Sequence, residues 1–443
     1  MTDSLSIQSR TISPEKNQNC EFTFAQVLRL LVLFPFFSVW NNAFSYEGSA
    51  PGKLFSCRKD IFCRFMNDGR IDWRRLVYCF HCQMIGIVSW SSSAENDTDL
   101  PQWRFKAKGL GKLLFLIAMK CILGFKAMFL CYSDRKSQFM IDSTIQAESG
   151  MNPDELQGLS SSRKAVQYTW SCGEDEKVCV CNADMFRSKV SNAITMLPHS
   201  ISEGVWFDYL LVDSWFPCSE LLHFIKSCHF KSNFLGMIKM GRTRYKTAVM
   251  KISVPEIIRN LVRFKMIKHA CSIGYHYTRT NAVYDSVGMQ LFFYQRGYGG
   301  WNTFIFTDLN MDLKEAFRFY YRRWVIEVAH KEKKQLLYLC KCQKIDFVRQ
   351  IAGLSLRMIQ YKISSCVNRL ESYETIGGLF AEVTGETVKL SLMERICGLI
   401  IEFVNVIVEF IACDPFELIQ NVINNNGRIK AVGQAFDRLK FAR

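Results

Sequence analysis

The chain has 443 residues, of which 49% are hydrophobic and 22% are charged, and its formal net charge is +15. This composition excludes a disordered chain, and the length suffices for roughly two to four domains with a sizeable core. The positive charge favours a polyanionic partner, of which nucleic acid is the commonest for a soluble protein.

An apolar run at residues 22–39 is interrupted by Arg29 and Pro35, which argues against a membrane span. A polar stretch precedes this run, so the layout of a signal peptide is missing. We therefore expect a cytoplasmic protein, associated with the nucleoid when it is bound to DNA.

Residues 1–88 form the first predicted region, which is helical over 24–37, 48–66 and 71–85. Two short helices with basic residues between them are typical of a helix-turn-helix-like DNA-binding head, and equally of a small helical bundle. On the first interpretation the DNA contacts come from Lys53, Arg58, Lys59 and Arg64.

The eighteen cysteines are scattered, often inside apolar runs, as at Cys121, Cys131 and Cys397. In a cytoplasmic chain such cysteines are expected to be small buried hydrophobic residues. Cys79 and Cys82 have a zinc-like spacing, but no second pair of ligands follows them.

The predicted core begins at residue 89. Residues 89–108 are expected to be irregular, and the apolar runs 120–132 and 138–147 predict a β-hairpin. A polar surface loop is expected over 149–181, followed by a helix over 183–197.

The clearest α/β unit follows. Its predicted elements are a buried strand at 208–213, an amphipathic helix at 218–228 and a buried strand at 234–239. The length of the crossover fits a parallel pair of strands. Asp213 therefore lies at the carboxyl end of its strand, where open α/β sheets place their sites.

The chain then changes character. Residues 241–309 are expected to form a largely β insertion, and residues 346–443 a helical region. Within that region Leu390–Ala412 is nearly all apolar, which predicts burial in a core or against a second copy of the chain.

Between these parts, residues 310–345 contain one long predicted helix, from Asp312 to Leu337, in which Asp312 and Glu315 form a capping-box-like start. One stripe of this helix, about 60° wide at 100° per residue, carries four polar side chains. They are Tyr320, Arg323, Glu327 and Lys334. A solvated face with an i,i+4 ion pair is the simplest interpretation of this stripe.

The order of elements is strand, hairpin, helix, strand ending in Asp, helix, strand, insertion and helix with Glu. This is the order of an RNase H-like fold, so the predicted class is α/β with an RNase H-like core flanked by helical regions. Cleaving and joining DNA through two metal ions needs carboxylates that converge from different elements and hold the cations roughly 4 Å apart. Mg²⁺ suits this task because it binds through few carboxylates.

The spacing Tyr-x2-Arg-x3-Glu-x6-Lys resembles the signature of a group of bacterial insertion-sequence transposases of the DDE type. The likeness extends from about residue 22 to the C-terminus. Its other landmarks are Lys59–Asn67, Asn96–Asp99, Leu123–Lys126, Leu211–Phe216, Gly236–Lys239, Thr307–Leu309 and Leu339–Gln343.

The resemblance implies that Asp97, Asp213 and Glu327 bind two Mg²⁺ ions, for which Mn²⁺ can substitute. It implies that Tyr320, Arg323 and Lys334 grip the end of the transposon, with Lys239 a further candidate contact to the DNA backbone. Alternatives exist for single residues. Asp213 could cap a helix, Asp308 could be the ligand instead, and Trp301 could stack on a flipped base or pack in the core.

The resemblance also implies the activity and its partners. The chain would cut terminal inverted repeats, form a DNA hairpin at the transposon end as an intermediate, and join the 3′-hydroxyls to target double-stranded DNA. It would do so as a homodimer on paired ends. Three features depart from the pattern: the polar approach to Asp97, Arg135 at the hairpin turn, and the mixed charge of 165–184. The first of these features favours an alternative, a decayed or repurposed copy that binds DNA without cutting it. A third reading, an unrelated nuclease on the same fold, is disfavoured by the complete helix signature.

Overall fold

The computed structural model describes a large part of the chain. The described residues are 22, 24–37, 59–85, 92–101, 106, 108, 110–115, 120–133, 138–147, 158–167, 177–228, 232–270, 274–339, 346–370, 376 and 378–380. Only the backbone is described for some of them, including residues 82–85 and 92–97. Lys53, Arg58, Arg135, Cys397 and the predicted helix at 390–412 lie outside this set.

Ten helices and a 3-10 turn at Phe34–Phe37 are present in the described part of the chain. The helices are α1 Phe24–Leu33, α2 Lys59–Met66, α3 Trp73–Ile85, α4 Ser161–Ala165, α5 Val178–Asp184, α6 Lys189–Ser202, α7 Ser219–Ser227, α8 Val254–Arg263, α9 Leu313–Gln335 and α10 Phe347–Leu370.

The described strands form one twelve-stranded mixed sheet. They are β1 Ser92–Pro101, β2 Gly111–Phe115, β3 Lys120–Ser133, β4 Gln138–Gln146, β5 Tyr209–Val212, β6 Asn233–Ile238, β7 Arg244–Lys246, β8 Lys251–Ser253, β9 Lys268–Ala270, β10 Tyr275–Tyr284, β11 Val287–Arg296 and β12 Asn302–Phe306. The fold class is therefore mixed α/β.

One half of the sheet has the order β4-β3-β1-β5-β6. Strand β3 is antiparallel to β1, β2 and β4, whereas β1, β5 and β6 run parallel to one another. The crossover from β4 to β5 contains α6, and the one from β5 to β6 contains α7. The predicted hairpin and the predicted parallel pair are both confirmed.

The expectation of an irregular segment at 89–108 is wrong for residues 92–101, because Ser92–Pro101 is a continuous strand. Its sequence is polar, but ten residues of β1 pair in register with the apolar strand β3, from Ser92 opposite Ser133 to Pro101 opposite Gly124. Backbone pairing with a long partner has outweighed weak local strand propensity.

The polar segment 149–181 was expected to be a loop, but it includes α4 and the start of α5. The helix expected at 183–197 begins later, at Lys189, because Ser188 caps it by accepting the backbone N–H of Ser191 at 3.0 Å. The helix Val254–Arg263 was missed in a segment expected to be largely β.

The second half of the sheet continues from β6 through the antiparallel strands β12, β11 and β10 to β7 and β8. Helices α3 and α10 pack on β4, and α9 packs against β1 and β5. One continuous hydrophobic core therefore joins the N-terminal helices, the sheet and the two long helices.

Candidate functional site

Helix α9 provides the largest number of the predicted site residues. Asp312 caps it, accepting the backbone N–H of Glu315 at 2.7 Å, as the sequence predicted. Its inner face is anchored by Ala316, Ile326 and Ala329, which are buried. Because this face is packed in the core, the rotation of the helix about its axis, and with it the direction of the polar stripe, is fixed.

Three residues of the stripe are in contact. The guanidinium of Arg323 lies 5.4 Å from the centre of the Tyr320 ring, and its Nη1 donates to Glu327 Oε1 at 3.3 Å. Arg323 is largely buried and Glu327 is 38% exposed, so the carboxylate remains open to solvent on one side. The Tyr320 ring packs on Phe304 of β12, with centroids 4.7 Å apart.

Asp213 lies near this group, at the carboxyl end of β5. Burial raises the pKa of the Tyr320 phenol, Arg323 opposes the rise, and the charges of Asp213 and Glu327 add to it. Two carboxylates from elements far apart in the sequence thus act on one phenol. The phenol stays protonated at neutral pH and can donate a hydrogen bond.

Asp213 also organises its own turn, because its Oδ1 accepts the backbone N–H of Trp215 at 2.8 Å. It does not cap the following helix, since the N-cap of α7 is Cys218. The capping alternative is therefore wrong for that helix.

Asp97 can be located only through its backbone, which lies in β1 opposite Met128. The parallel pairing of β1 with β5 ends at Ala94 opposite Leu211. Asp97 and Asp213 follow these last paired residues by three and two positions, so both backbones lie just beyond the same end of the β1–β5 pair.

Lys239 follows β6 and lies at the same end of the sheet, because β5 and β6 are parallel. Its Nζ lies 3.0 Å from the centre of the Trp215 ring. The sequence did not predict this contact, which depends on the pairing of two strands.

Lys334 is half-buried further along α9. Burial is the main cause of the lowered pKa of His330, and the charge of Lys334 lowers that pKa further.

The rival ligand Asp308 lies at the opposite end of β5. Its Oδ2 accepts the hydroxyl of Tyr209, the first residue of that strand, at 2.9 Å. It is therefore separated from Asp213 by the length of β5. Trp301 precedes β12, whose Thr303 pairs with Ile238, and it packs partly against the core.

The donor chemistry of the site fits a hard divalent cation in part. Carboxylate oxygens are the ligands that Mg²⁺ prefers, and Asp213 and Glu327 supply them beside the same phenol. Among the described residues, no three His, Cys, Asp or Glu side chains are grouped closely enough to hold a metal ion. The third predicted carboxylate, Asp97, belongs to the positions where the backbone alone is described.

The segment from Lys239 to Gly300 carries most of the net positive charge of the chain, with eleven Lys and Arg residues and two acidic ones. All eleven basic side chains are exposed. The acidic residues are engaged, since Glu256 accepts from Ser253 and Asp285 from Ser219 and His223. The segment therefore presents a net positive charge to a polyanion.

The cysteines only partly match the expectation. Cys131 is buried, Cys121 is exposed at the start of β3, and Cys179 is disulfide-bonded. Cys79 faces the core. In the described part of the chain, no helix combines the length and apolar character that crossing a bilayer requires.

No protein-family model matches the sequence, and no curated protein matches it significantly. A cryo-EM structure of a piggyBac transposase synaptic complex with hairpin DNA is similar to this chain, with 10% identity and a TM-score of 0.39. The similarity covers 89% of this chain and 81% of the other. A TM-score this low establishes neither a shared fold nor a shared activity.

Proposed function

We propose that the chain is a DDE-type DNA transposase, which cleaves the ends of a transposon and joins them to target DNA with the aid of Mg²⁺. The observation that carries the proposal is that the charges of Asp213 and Glu327 both act on the Tyr320 phenol, while Arg323 contacts the Tyr320 ring and donates to Glu327. Carboxylates brought together from distant segments are what two-metal phosphoryl transfer requires.

The strand order supports an RNase H-like core. Three antiparallel strands lead into two parallel ones, in the order β4-β3-β1-β5-β6, with a helix in each crossover. Asp97 and Asp213 follow the last paired residues of β1 and β5 at one end of that pair, and α9, which carries Glu327, packs against both strands. On this proposal β7–β12 are an insertion between the last core strand and the last core helix.

The ions would be held by Asp97, Asp213 and Glu327. When bound, they supply activation of the attacking water or 3′-hydroxyl and stabilisation of the leaving oxygen. The protein's own groups position the DNA. Arg323 offers a buried, fork-shaped cation for a phosphate oxygen, and the protonated phenol of Tyr320 donates a hydrogen bond beside it. Lys334 binds the strand further along the helix.

The DNA would approach over the exposed basic residues of the segment 239–300. This segment begins with Lys239, which lies at the site. Non-specific attraction of the phosphate backbone supplies much of the affinity of DNA-binding proteins. A homodimer on paired ends and a hairpin intermediate belong to the same proposal.

The alternative is a transposase-derived protein that binds DNA without cutting it. It was suggested by the polar approach to Asp97, but from Ser92 onward that approach is a regular strand in the structure. Both proposals predict the same fold, so a measurement of DNA cleavage is needed to distinguish them.

The test uses the full-length chain and duplexes made from the DNA that flanks its reading frame on each side. With Mg²⁺ we expect one strand to be nicked at a defined position in each flank. Glu327→Gln and Asp213→Asn should reduce nicking at least about 100-fold, because each removes a metal ligand. Glu315→Gln, on an exposed position of the same helix, should not change it.

DNA binding by the same variants is measured by fluorescence anisotropy. Binding without nicking by the unmutated chain would favour the non-cutting alternative. Nicking that survives both Glu327→Gln and Asp213→Asn would show that another site does the chemistry.

A further inference from the structure

Trp215 is an exposed aromatic residue held in a fixed position. Its side chain is 70% exposed, whereas the next residue, Phe216, is 1% exposed and anchors the turn in the core. The turn is closed by two hydrogen bonds to Asp213, from the N–H of Trp215 to Oδ1 at 2.8 Å and from the N–H of Phe216 to the carbonyl at 3.4 Å. The indole therefore projects from a constrained backbone two residues after a candidate metal ligand.

One face of the indole is covered by a cation. Lys239 Nζ lies 3.0 Å from the ring centroid, and this residue comes from the neighbouring parallel strand. Such a contact orients the ring and places a positive charge directly beside it. Because most of the indole is exposed, the face away from Lys239 is open to solvent.

An exposed, oriented aromatic face beside a cation matches the chemistry of a nucleotide. Nucleobases stack on aromatic side chains, while Lys or Arg binds the phosphate that precedes or follows the base. A protein partner would be expected to meet a larger apolar patch, but Trp215 is flanked by Ser214, Asp213 and Lys239.

We infer that Trp215 stacks on an unpaired nucleobase of the DNA strand next to the phosphate that is cut, while Lys239 binds an adjacent phosphate. This inference rests on the proposed function, since it takes Asp213 to mark the position of the reacting phosphate. Trp215 is then a positioning residue, which holds the strand by its base rather than taking part in the chemistry.

The test is a double-mutant cycle between protein and DNA. The probe is a short duplex with an unpaired tail, in which one tail nucleotide is either a normal base or an abasic sugar. Binding by the full-length chain is measured with Ca²⁺ in place of Mg²⁺. The unmutated chain should prefer the tail with the base by about 10-fold to 100-fold.

Trp215→Ala should lose this preference and bind the abasic tail as the unmutated chain does, whereas Trp215→Phe should retain most of it. Trp206→Ala is the matched control, because Trp206 is 48% exposed and precedes the other end of β5. It should keep the full preference.

An unmutated chain that does not distinguish the two tails, or a Trp215→Ala variant that still does, would overturn the inference. The inference and the proposed function fail separately. If the unmutated chain prefers the tail with the base but does not nick DNA with Mg²⁺, the stacking role of Trp215 stands and the transposase activity is refuted. If it nicks DNA but does not distinguish the two tails, the transposase activity stands and the stacking role is refuted.

Discussion

Arg74 of α3 donates two hydrogen bonds to Asp142 of β4, one from Nε to Oδ1 at 2.7 Å and one from Nη2 to Oδ2. The carboxylate is fully buried, and Tyr78 donates a third hydrogen bond to it at 2.9 Å. Asp184 accepts from the same guanidinium at 3.2 Å. This buried network joins the N-terminal helices to the edge of the sheet.

Asp142→Asn should therefore be strongly destabilising. The substitution leaves Arg74 buried with a single carboxylate partner, and breaking a buried pair in this way costs about 3–5 kcal/mol. The free energy of unfolding is measured in urea. Asp68→Asn, in the exposed Arg70–Asp68 pair, is the control and should cost less than about 1 kcal/mol. A similar small loss for both variants would show that the buried network contributes little.

Gly236 supports the geometry of the site from β6. It pairs with Val212, the residue before Asp213, and a Cβ added to it would lie 2.8 Å from Val212 Cγ2 and 3.3 Å from Pro217 Cγ. Gly236→Ala should cost about 1–3 kcal/mol through overpacking, and it should reduce nicking because β5 must shift.

Gly288→Ala is the matched control for this prediction, because Gly288 also lies in a strand and has nothing within 4 Å of an added Cβ. Urea unfolding and the nicking assay are run on both variants. Equal stability of the two variants would mean that the β5–β6 spacing relaxes without cost.

The sequence predicted those elements whose signals are local. The β5–α7–β6 unit follows from short apolar runs with a helical pattern between them, and α9 follows from its cap at Asp312 and its length. Strand β1 could not be predicted in this way, because its polar residues form a strand by pairing with β3. The paired residues are about thirty positions apart in the sequence.

Helix α8 is different, because its signals were present in the sequence. Val254, Ile257, Ile258 and Leu261 are all buried and have helical spacing, and Ser253 and Glu256 form a capping box. The prediction of a largely β segment rested instead on the strand-like runs that follow.

The candidate site divides in the same way. The spacing of Tyr320, Arg323 and Glu327 on one helix predicted their contact, since helix geometry alone determines which residues share a face. The contact of Trp215 with Lys239 depends on the register of two strands, which no local pattern encodes.

Buried histidine should make the fold sensitive to acid. Burial lowers the pKa of His330 well below its usual value, and the charges of Lys333 and Lys334 lower it further. The folded chain therefore keeps this imidazole neutral while the unfolded chain takes up a proton near pH 6.5. Stability attributable to this group is present above that pH and is lost as the pH falls.

His330→Leu removes this titration, so the free energy of unfolding should fall less between pH 7 and pH 5 than in the unmutated chain. The difference is at most about 1.4 kcal/mol per pH unit. Urea unfolding at several pH values gives the slope. His276→Leu, at an exposed position, is the control for replacing an imidazole by an apolar side chain. An unchanged slope in His330→Leu would show that this imidazole is protonated in the folded state as well.

Like charges face each other across the β7–β8 pair, where Lys246 lies opposite Lys251. Such a pair is unfavourable in the free protein, so a bound polyanion would relieve the repulsion. Lys246→Gln should weaken binding to duplex DNA of any sequence and lower the slope of log affinity against log salt by about 0.9, the value for one phosphate contact.

Lys177→Gln, which removes an exposed charge from the start of α5, should leave that slope unchanged. Anisotropy titrations across a range of salt concentrations compare the two variants directly. Since both lose one charge, a general effect of net charge would change both equally and would argue against a DNA path over the β7–β8 surface. A loss confined to Lys246→Gln would locate a phosphate contact on that surface.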